Sequence, residues 1–232
     1  MIPYRESSAI LELFTPNQGV IPVMAHSGRR PTSPYVSAIR TLIMGKFVLY
    51  FSGRGDFYHL REVEIIAGPE GIVQDEDKFF VVSVVSSLIL KLAPARTPNY
   101  SLYRIINDLI QKLSKTSDRD RIVTLLILSI INLLKGSGYL PPLDSCARCG
   151  SPEIRFFSVA GGGSLCLQHG RTGIKLNQEM VKVMKDLEQN RDLSSLPILR
   201  KVLDLILEYY RYHIDEPDPV LASAIDWLTD KG

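Results

Sequence analysis

Three cysteines and one histidine lie close together in the second half of the chain. They form two pairs, Cys146 with Cys149 and Cys166 with His169, and each pair has two residues between its members. Two ligands at this spacing can reach a tetrahedral ion from one tight turn, and the chain between the pairs is long enough to bring a second turn around. The pattern therefore predicts one Zn²⁺ site with three sulfur ligands and one nitrogen ligand.

We interpret this zinc as structural, and a catalytic zinc is the alternative. All four ligand positions are filled by protein side chains, whereas a catalytic zinc keeps one position open for water. The nearest acids, Asp144 and Glu153, lie outside any HxE or HExxH arrangement that would make one of them a general base. The ion would fix residues 141–173, a segment too poor in apolar side chains to fold by burial alone.

The number of cysteines argues against disulfides, because three thiols leave one without a partner. Residues 1–12 lack the basic start and apolar run of a secretory signal peptide. The most apolar stretch, residues 122–134, is shorter than the ~20 residues that span a membrane. We therefore expect a cytoplasmic protein without membrane attachment, in a compartment whose reduced thiols suit zinc.

Other residues that could do chemistry give weaker patterns. The run Gly161-Gly162-Gly163 is not followed by the Lys-Ser/Thr of a phosphate-binding loop, so we interpret it as a turn that lets the second ligand pair approach zinc. His26, His59 and His213 have no nucleophile at a recognisable spacing. We assign them to surface or packed positions and predict no catalysis.

Basic residues are concentrated in the first half of the chain, although the net charge is only +2. Residues 20–61 contain a single acid, Asp56, and a second basic stretch follows between residues 91 and 121. Such a surface binds phosphates by counterion release, and an ordinary solvated surface is the alternative for each residue. The predicted DNA contacts are Arg29, Arg30, Arg40, Lys46, Arg54, Arg61, Lys112, Lys115 and Arg121.

Aromatic side chains interleaved with these basic residues are candidates to stack on bases. Because side chains alternate along a strand, Phe47 and Phe51 point to one face and Val48 and Tyr50 to the other. About half of the aromatic residues should therefore belong to the core. The candidates are Tyr35, Phe47, Tyr50, Phe51, Phe57 and Tyr58.

Hydrophobic periodicity changes from strand-like to helical after residue 66. The first part predicts a five-stranded barrel of the OB-fold type, with an SH3-like barrel as the alternative. The predicted strands are 9–14, 19–25, 46–51 and 57–66, and the predicted helices are 79–93, 101–113, 121–135, 177–189, 196–212 and 220–229.

The predicted fold class is therefore α+β, with an N-terminal OB-fold β-barrel followed by an all-α helical bundle that carries an inserted zinc knuckle. We place the nucleic-acid-binding domain at residues 1–77 and the helical domain at residues 78–140 and 174–232. The zinc segment at residues 141–173 is inserted in the helical domain.

Two motifs resemble the RecO family of DNA repair proteins. One is GYLPPLDSCARCG at residues 138–150, followed by Gly162-Gly163 before the third cysteine; the other is YRESSAILELFT at residues 4–15, followed by Gly19, by SGRR at residues 27–30 and by Ser33. Their order and distances are those of the family over nearly the whole chain. The chain departs from the family where His26 and Ser27 replace a basic and a small residue, and where His169 replaces the commoner fourth cysteine.

The resemblance implies a recombination mediator that is not an enzyme. Members of the family bind single- and double-stranded DNA and anneal complementary strands. They act with RecR, contact the single-strand binding protein and help to load RecA, in the bacterial cytoplasm and in association with the nucleoid.

Two other classes stay open from the residues alone. A zinc-dependent nucleic-acid enzyme would need clustered carboxylates or a zinc open to water near the basic surface, and the acids here are dispersed or C-terminal. A zinc-stabilised module that binds only protein would leave the basic character of the N-terminal half unexplained.

Overall fold

The computed structural model describes residues 1–36, 39, 43–53, 55–67, 71–93, 96–189, 196–213 and 219–230. The chain forms two compact units, Met1–Ser117 and Asp118–Gly232. The first unit contains a five-stranded sheet with two helices, and the second contains four helices with a small three-stranded sheet. The α+β class predicted from the sequence is confirmed.

The large sheet of the first unit has the strand order β1-β2-β3-β5-β4. Neighbouring strands are antiparallel except β3 and β5, which are parallel. The strands are β1 Ile2–Tyr4, β2 Ser8–Thr15, β3 Gly19–Ala25, β4 Met44–Phe51 and β5 Tyr58–Ala67.

The closed barrel that we predicted is not formed by the described residues, because β1 and β4 are the two ends of the strand order and do not pair with each other. One physical reason that the sheet does not close is the length of β1, which has only three residues and pairs with β2. The structure therefore shows an open five-stranded sheet.

Alternating side chains of the sheet build the core of the first unit. Ala9, Leu11, Val23 and Leu60 are buried in one cluster, and Phe47 is among the half-buried residues packed against it. The helices of this unit are α1 Glu76–Leu92 and α2 Tyr100–Leu113.

The helices begin at side chains that cap their free N–H groups. Asp75 accepts a hydrogen bond from Lys78 N at the start of α1, and Asn99 accepts one from Leu102 N at the start of α2. Asn177 does the same in the second unit. These short polar residues explain why the helices begin where they do.

The second unit contains α3 Arg119–Gly136, α4 Gln178–Glu188, α5 Leu196–His213 and α6 Pro219–Asp230. Buried residues lie nearly all around α3, as its apolar sequence predicts, and α3 and α4 both pack on α5. No helix in the described ranges is long and apolar enough to cross a membrane.

Between α3 and α4 the chain forms a small sheet of strand order β7-β6-β8. Its strands are β6 Ile154–Ser158, β7 Gly163–Cys166 and β8 Ile174–Lys175. The six helices and four of the strands in the structure match the predicted ones, whereas β1 and this small sheet were not predicted. The domain boundaries that we drew from periodicity stay a prediction.

Candidate metal centre and nucleic-acid interface

The first cysteine pair lies in a tight turn closed by backbone hydrogen bonds. Gly150 N donates to Cys146 O at 2.8 Å, and Cys146 N donates to Ser151 O at 2.8 Å. Gly150 has a φ of 71°, a conformation that a residue with a side chain adopts only at a cost. The turn brings Cys149 back toward Cys146, so both thiols face the same point.

The second pair lies in a similar turn at the end of β7. His169 N and Gly170 N both donate to Cys166 O, at 3.2 and 3.0 Å. A Cβ atom on Gly170 would lie 2.7 Å from Phe156 Cβ, so only glycine allows this close approach. The second turn therefore depends on the glycine that follows the histidine.

The four ligand atoms converge at distances that fit a tetrahedral ion. Cys149 Sγ lies 3.8 Å from Cys166 Sγ, and His169 Nδ1 lies 3.3 Å from Cys166 Sγ and 3.6 Å from Cys146 Sγ. All four atoms lie within 4.8 Å of one another. Around zinc, with bonds of about 2.3 Å to sulfur and about 2.0 Å to nitrogen, tetrahedral ligands lie about 3.8 Å apart for two sulfurs and about 3.5 Å for sulfur and nitrogen.

The surroundings shift the pKa values of two thiols in opposite directions. Burial alone would raise the pKa of Cys146, but backbone N–H groups of Cys166, Arg148 and Cys149 and the side chain of His169 lower it to about 6. The N–H of Ser151 lowers the pKa of Cys149, but the neighbouring thiols and burial outweigh it and raise that pKa. The thiolate form of cysteine is the metal ligand, so Cys146 is prepared for a cation at neutral pH.

The rest of the small sheet holds the two turns together. Cys146, Cys166 and Leu165 form a small buried cluster against Phe156. Ser164 is fully buried, and its N and Oγ donate to Pro142 O and Leu143 O at 3.1 and 3.2 Å.

The glycine run at residues 161–163 joins β6 to β7, so it is the turn of the hairpin that carries Cys166. The loop that could have suggested a phosphate site is therefore part of the scaffold of the Cys/His cluster.

Among the predicted DNA contacts, Arg29 and Arg30 lie in an exposed loop after β3. Arg30 N donates to Ser27 O at 3.1 Å, and Arg29 N donates to Ser7 O at 2.8 Å. Gly28 between them and the strand is buried, and a Cβ there would lie 3.1 Å from Ala25 Cβ. The buried glycine anchors the loop, so the two arginines that follow point away from the core.

The same hydrogen bond brings a third arginine into this region, Arg5 in the turn between β1 and β2. Arg5 is exposed, and its guanidinium lies 5.4 Å from the centroid of the Tyr4 ring. We did not predict Arg5 from the sequence. The antiparallel pairing of Ala9 with Ala25 could have revealed it, because that register places the start of β2 beside the end of β3.

Lys46 and Arg61 lie on exposed strand positions next to acids. Lys46 Nζ lies 3.3 Å from Glu64 Oε2, and Arg61 Nε lies 3.8 Å from Glu62 Oε1. The sequence window in which we counted a single acid ended at residue 61, immediately before these glutamates. Their carboxylates reduce the positive potential of this part of the sheet.

The remaining predicted contacts are distributed over both units. Lys112 and Lys115 are exposed at the C-terminal end of α2, where Lys115 N donates to Lys112 O, and Arg121 is exposed in the first turn of α3. Arg40 and Arg54 lie outside the described residues. All nine positions stay predicted DNA contacts.

The aromatic candidates divide between core and surface, but Phe51 is exposed although alternation places it on the same face as Phe47, and Phe57 is half-buried. Phe47, Tyr58 and Tyr35 are half-buried against the core, and Tyr35 Oη donates to Arg61 O at 2.7 Å. Tyr50 and Phe51 are about half exposed at the end of β4. Of the six candidates, only Tyr50 and Phe51 therefore expose about half of their surface to the bases of a ligand.

Comparison with known proteins decides the family. The model of the recombination protein O N-terminal domain matches residues 1–69, and that of the C-terminal domain matches residues 73–222. The chain belongs to the RecO family. The resemblance predicted from the two sequence motifs is confirmed, and the protein is a RecO family DNA repair protein.

Curated RecO proteins resemble the chain over most of its length. The DNA repair protein RecO of an Exiguobacterium species is 28% identical over 220 residues, covering 90% of this chain and 86% of that protein. That of Caldanaerobacter subterraneus is 29% identical over 221 residues, covering 90% and 87%. That of Listeria welshimeri is 26% identical over 233 residues, covering 98% and 89%.

Proposed function

We propose that this protein is a recombination mediator that binds single- and double-stranded DNA and anneals complementary strands. It acts with RecR to help load RecA onto DNA coated by the single-strand binding protein. The observation that supports this best is the exposed loop of Arg29 and Arg30, fixed beside Arg5 at one end of the sheet in a chain of the RecO family.

Annealing makes a physical demand that this loop can meet. Two phosphate backbones must approach each other while their base edges stay free to pair. Arginine side chains neutralise phosphates and release counterions without reading the bases, so they lower the repulsion for any sequence. No acidic side chain within the described residues forms an ion pair with Arg29 or Arg30. Their charge is therefore available to the phosphates.

In our proposal the five-stranded sheet is an OB-fold, and it is the part of the protein that binds DNA. The OB-fold is a five-stranded, partly open Greek-key barrel, and it binds oligonucleotides on the face of its strands. The parallel pairing of β3 with β5 supports this assignment. A simple meander of five strands would be antiparallel throughout, whereas this strand order requires a crossover.

The Cys/His cluster holds a structural Zn²⁺ ion in this proposal, bound by Cys146, Cys149, Cys166 and His169. The donor set, the spacing and the converging atoms fit the ion. When bound, the ion would cross-link the two turns of the small sheet. Four protein ligands leave no position for substrate, so we propose no catalytic step and no enzymatic activity at this site.

The test is annealing of two complementary labelled oligonucleotides by the purified protein at low and moderate salt. We expect acceleration without nucleotide and without strand breakage, and a steep loss when salt is added. Cleavage or base conversion would instead indicate a zinc-dependent nucleic-acid enzyme. Failure to bind DNA at every salt concentration would indicate a module that binds only protein.

The partners and the location are tested separately. Binding of purified RecR and of the single-strand binding protein is measured with each protein alone, and RecA loading is followed on DNA coated by the single-strand binding protein. A fluorescent fusion in bacteria tests the cytoplasm and the nucleoid as the proposed location. DNA binding without binding of either protein would limit the proposal to strand annealing.

A further inference from the structure

Three aromatic rings form a row in the first unit: Tyr50 on β4, His59 on β5 and His26 in the turn after β3. Tyr50 of β4 is paired with His59 of β5, and His59 is paired with Met24 of β3, two residues before His26. The strand order places β5 between β3 and β4. The sheet therefore places Tyr50 beside His59, and the turn after β3 adds His26 to the row.

The rings contact one another closely. His26 Nε2 lies 2.9 Å from His59 Nδ1, with the ring planes 7° apart, and the rings of Tyr50 and His59 have centroids 5.0 Å apart and planes 21° apart. An imidazole N–H lies in the plane of its ring, so this hydrogen bond joins the two histidines through their edges. The Tyr50 ring stacks against His59, so the three rings form one contiguous aromatic cluster.

This cluster is exposed, unlike an aromatic cluster that serves the core. Tyr50 is 49% exposed, His26 is exposed and His59 is partly exposed. Ser52 Oγ lies 3.5 Å from His59 Nε2, so both nitrogens of the central ring have a neighbour that restrains its orientation. A restrained, exposed ring loses little conformational entropy when a flat ligand stacks on it.

The charges around the row favour one direction of approach for a polyanion. Arg29 and Arg30 follow His26 by a few residues and lie in an exposed loop. Glu62 and Glu64 lie further along β5, opposite Val48 and Lys46. A phosphate backbone is attracted by the arginine loop and repelled by the glutamates, so we expect it to lie along the loop while its bases reach the rings.

We propose that His26, His59 and Tyr50 form a stacking platform for the unpaired bases of single-stranded DNA. The proposal rests on the proposed DNA binding and adds strand selectivity to it. Bases in a duplex are stacked on each other and present only their edges, whereas unpaired bases can present their faces to an aromatic ring. The platform binds single strands, and the arginine loop binds the phosphates of either form.

The test compares the wild-type protein with Tyr50→Ala and His59→Ala, using an unlabelled protein and fluorescent oligonucleotides in single- and double-stranded form. For single strands we expect Kd to rise at least about fivefold for each variant, because one base loses its stacking partner. For the duplex we expect Kd to stay within about twofold, and the salt dependence of both should keep its slope, because no phosphate contact is removed.

Two further variants separate stacking from other roles. Tyr50→Phe keeps the ring, so single-strand affinity should stay near that of the wild type. Tyr212→Ala is the matched control, because Tyr212 is 62% exposed in the second unit and lies outside the platform. When a single strand that contains 5-iodouracil is irradiated with ultraviolet light, it should crosslink to Tyr50 or to the histidines.

The outcomes distinguish this inference from the proposed function. Equal loss of single-strand and duplex affinity in Tyr50→Ala, or no loss in either, would overturn the platform while DNA binding stands. Loss in Tyr50→Phe as large as in Tyr50→Ala would also overturn it, since the ring is retained. Absence of binding to both DNA forms by the wild-type protein would reject the proposed function itself.

Discussion

Lys46 on β4 and Glu64 on β5 are opposed in the strand register, and Lys46 Nζ lies 3.3 Å from Glu64 Oε2. Both side chains are highly exposed, so the pair contributes little to stability. Its consequence is electrostatic instead. The carboxylate reduces the attraction that Lys46 exerts on a phosphate, whereas the loop with Arg29 and Arg30 has no such acid among the described residues.

Removing the carboxylate should therefore strengthen DNA binding. We expect Glu64→Gln to raise duplex affinity by a few-fold at low salt, and Lys46→Ala to lower it by a similar factor. The measurement is a fluorescence anisotropy titration at two salt concentrations. Glu153→Gln, an exposed acid in the second unit, is the control and should leave affinity unchanged. A gain in the control as large as in Glu64→Gln would show a general effect of net charge.

Replacing Arg29 and Arg30 together by alanine should weaken single-strand and duplex binding alike. Two lost phosphate contacts reduce the slope of log affinity against log salt by about 1.8 for duplex DNA and about 1.4 for single strands. Both slopes come from titrations over a range of salt. Lys201→Ala, an exposed lysine on α5, is the matched control. An unchanged slope in the double variant would remove the loop from the set of phosphate contacts.

Much of the fold could be predicted because its long elements carry strong periodicity. The helices begin at capping residues such as Asp75 and Asn99, which are visible in the sequence. Strand β1 and strands β6 to β8 have two to five residues, too few for a clear alternation. The four residues of the Cys/His cluster could be identified without the fold, because their spacing in two short turns carries the information.

The aromatic row could not be predicted because it depends on a register irregularity. The pairing of β4 with β5 shifts between Val48 and Leu49, so that Val48 pairs with Glu62 and Leu49 pairs with Leu60. Without this bulge the register would place Tyr50 opposite Leu60 instead of His59. The sequence gives no direct measure of such a shift. The position of the acids beside Lys46 follows from the same register.

Removing the metal should destabilise the second unit. A ligand that binds only the folded state at 100 times its Kd contributes about 2.7 kcal/mol, so a chelator should lower Tm and expose residues 141–173 to protease. Cys149→Ser should behave like the chelated protein. Leu167→Ala is the control, because Leu167 lies between two ligands in the same turn and is 64% exposed. Metal analysis should give one zinc per chain in the control and less in Cys149→Ser.

Metal affinity should rise with pH across the neutral range. The pKa of Cys146 is lowered to about 6, so this thiol is already ionised at pH 7 and begins to protonate as the pH falls below that value. The pKa of Cys149 is raised, so the metal displaces its proton at neutral pH and binds more tightly as pH increases.

The check is competition with a coloured chelator between pH values of about 5.5 and 8.5, with calorimetry in two buffers to count released protons. Cys149→Ser should have a weaker dependence above neutral pH than the wild-type protein. A pH-independent affinity of the wild-type protein would contradict the assignment of thiolate ligands.

Gly163→Ala should destabilise the hairpin that carries Cys166, because two costs act together. Gly163 has a φ of 123°, and a Cβ there would lie 2.9 Å from Pro141 Cβ and 3.1 Å from Pro142 O. Backbone strain and overpacking together should lower the free energy of unfolding by about 2 to 4 kcal/mol.

Gly150→Ala is the matched control for this substitution. Gly150 also has a positive φ, of 71°, but a Cβ there would meet no atom within 4 Å. Its cost should be about 1 kcal/mol, since only the backbone conformation is disfavoured. Urea unfolding of both variants in the presence of zinc measures the difference. Equal losses would show that the contact with the two prolines adds nothing, and that the hairpin can shift away from them.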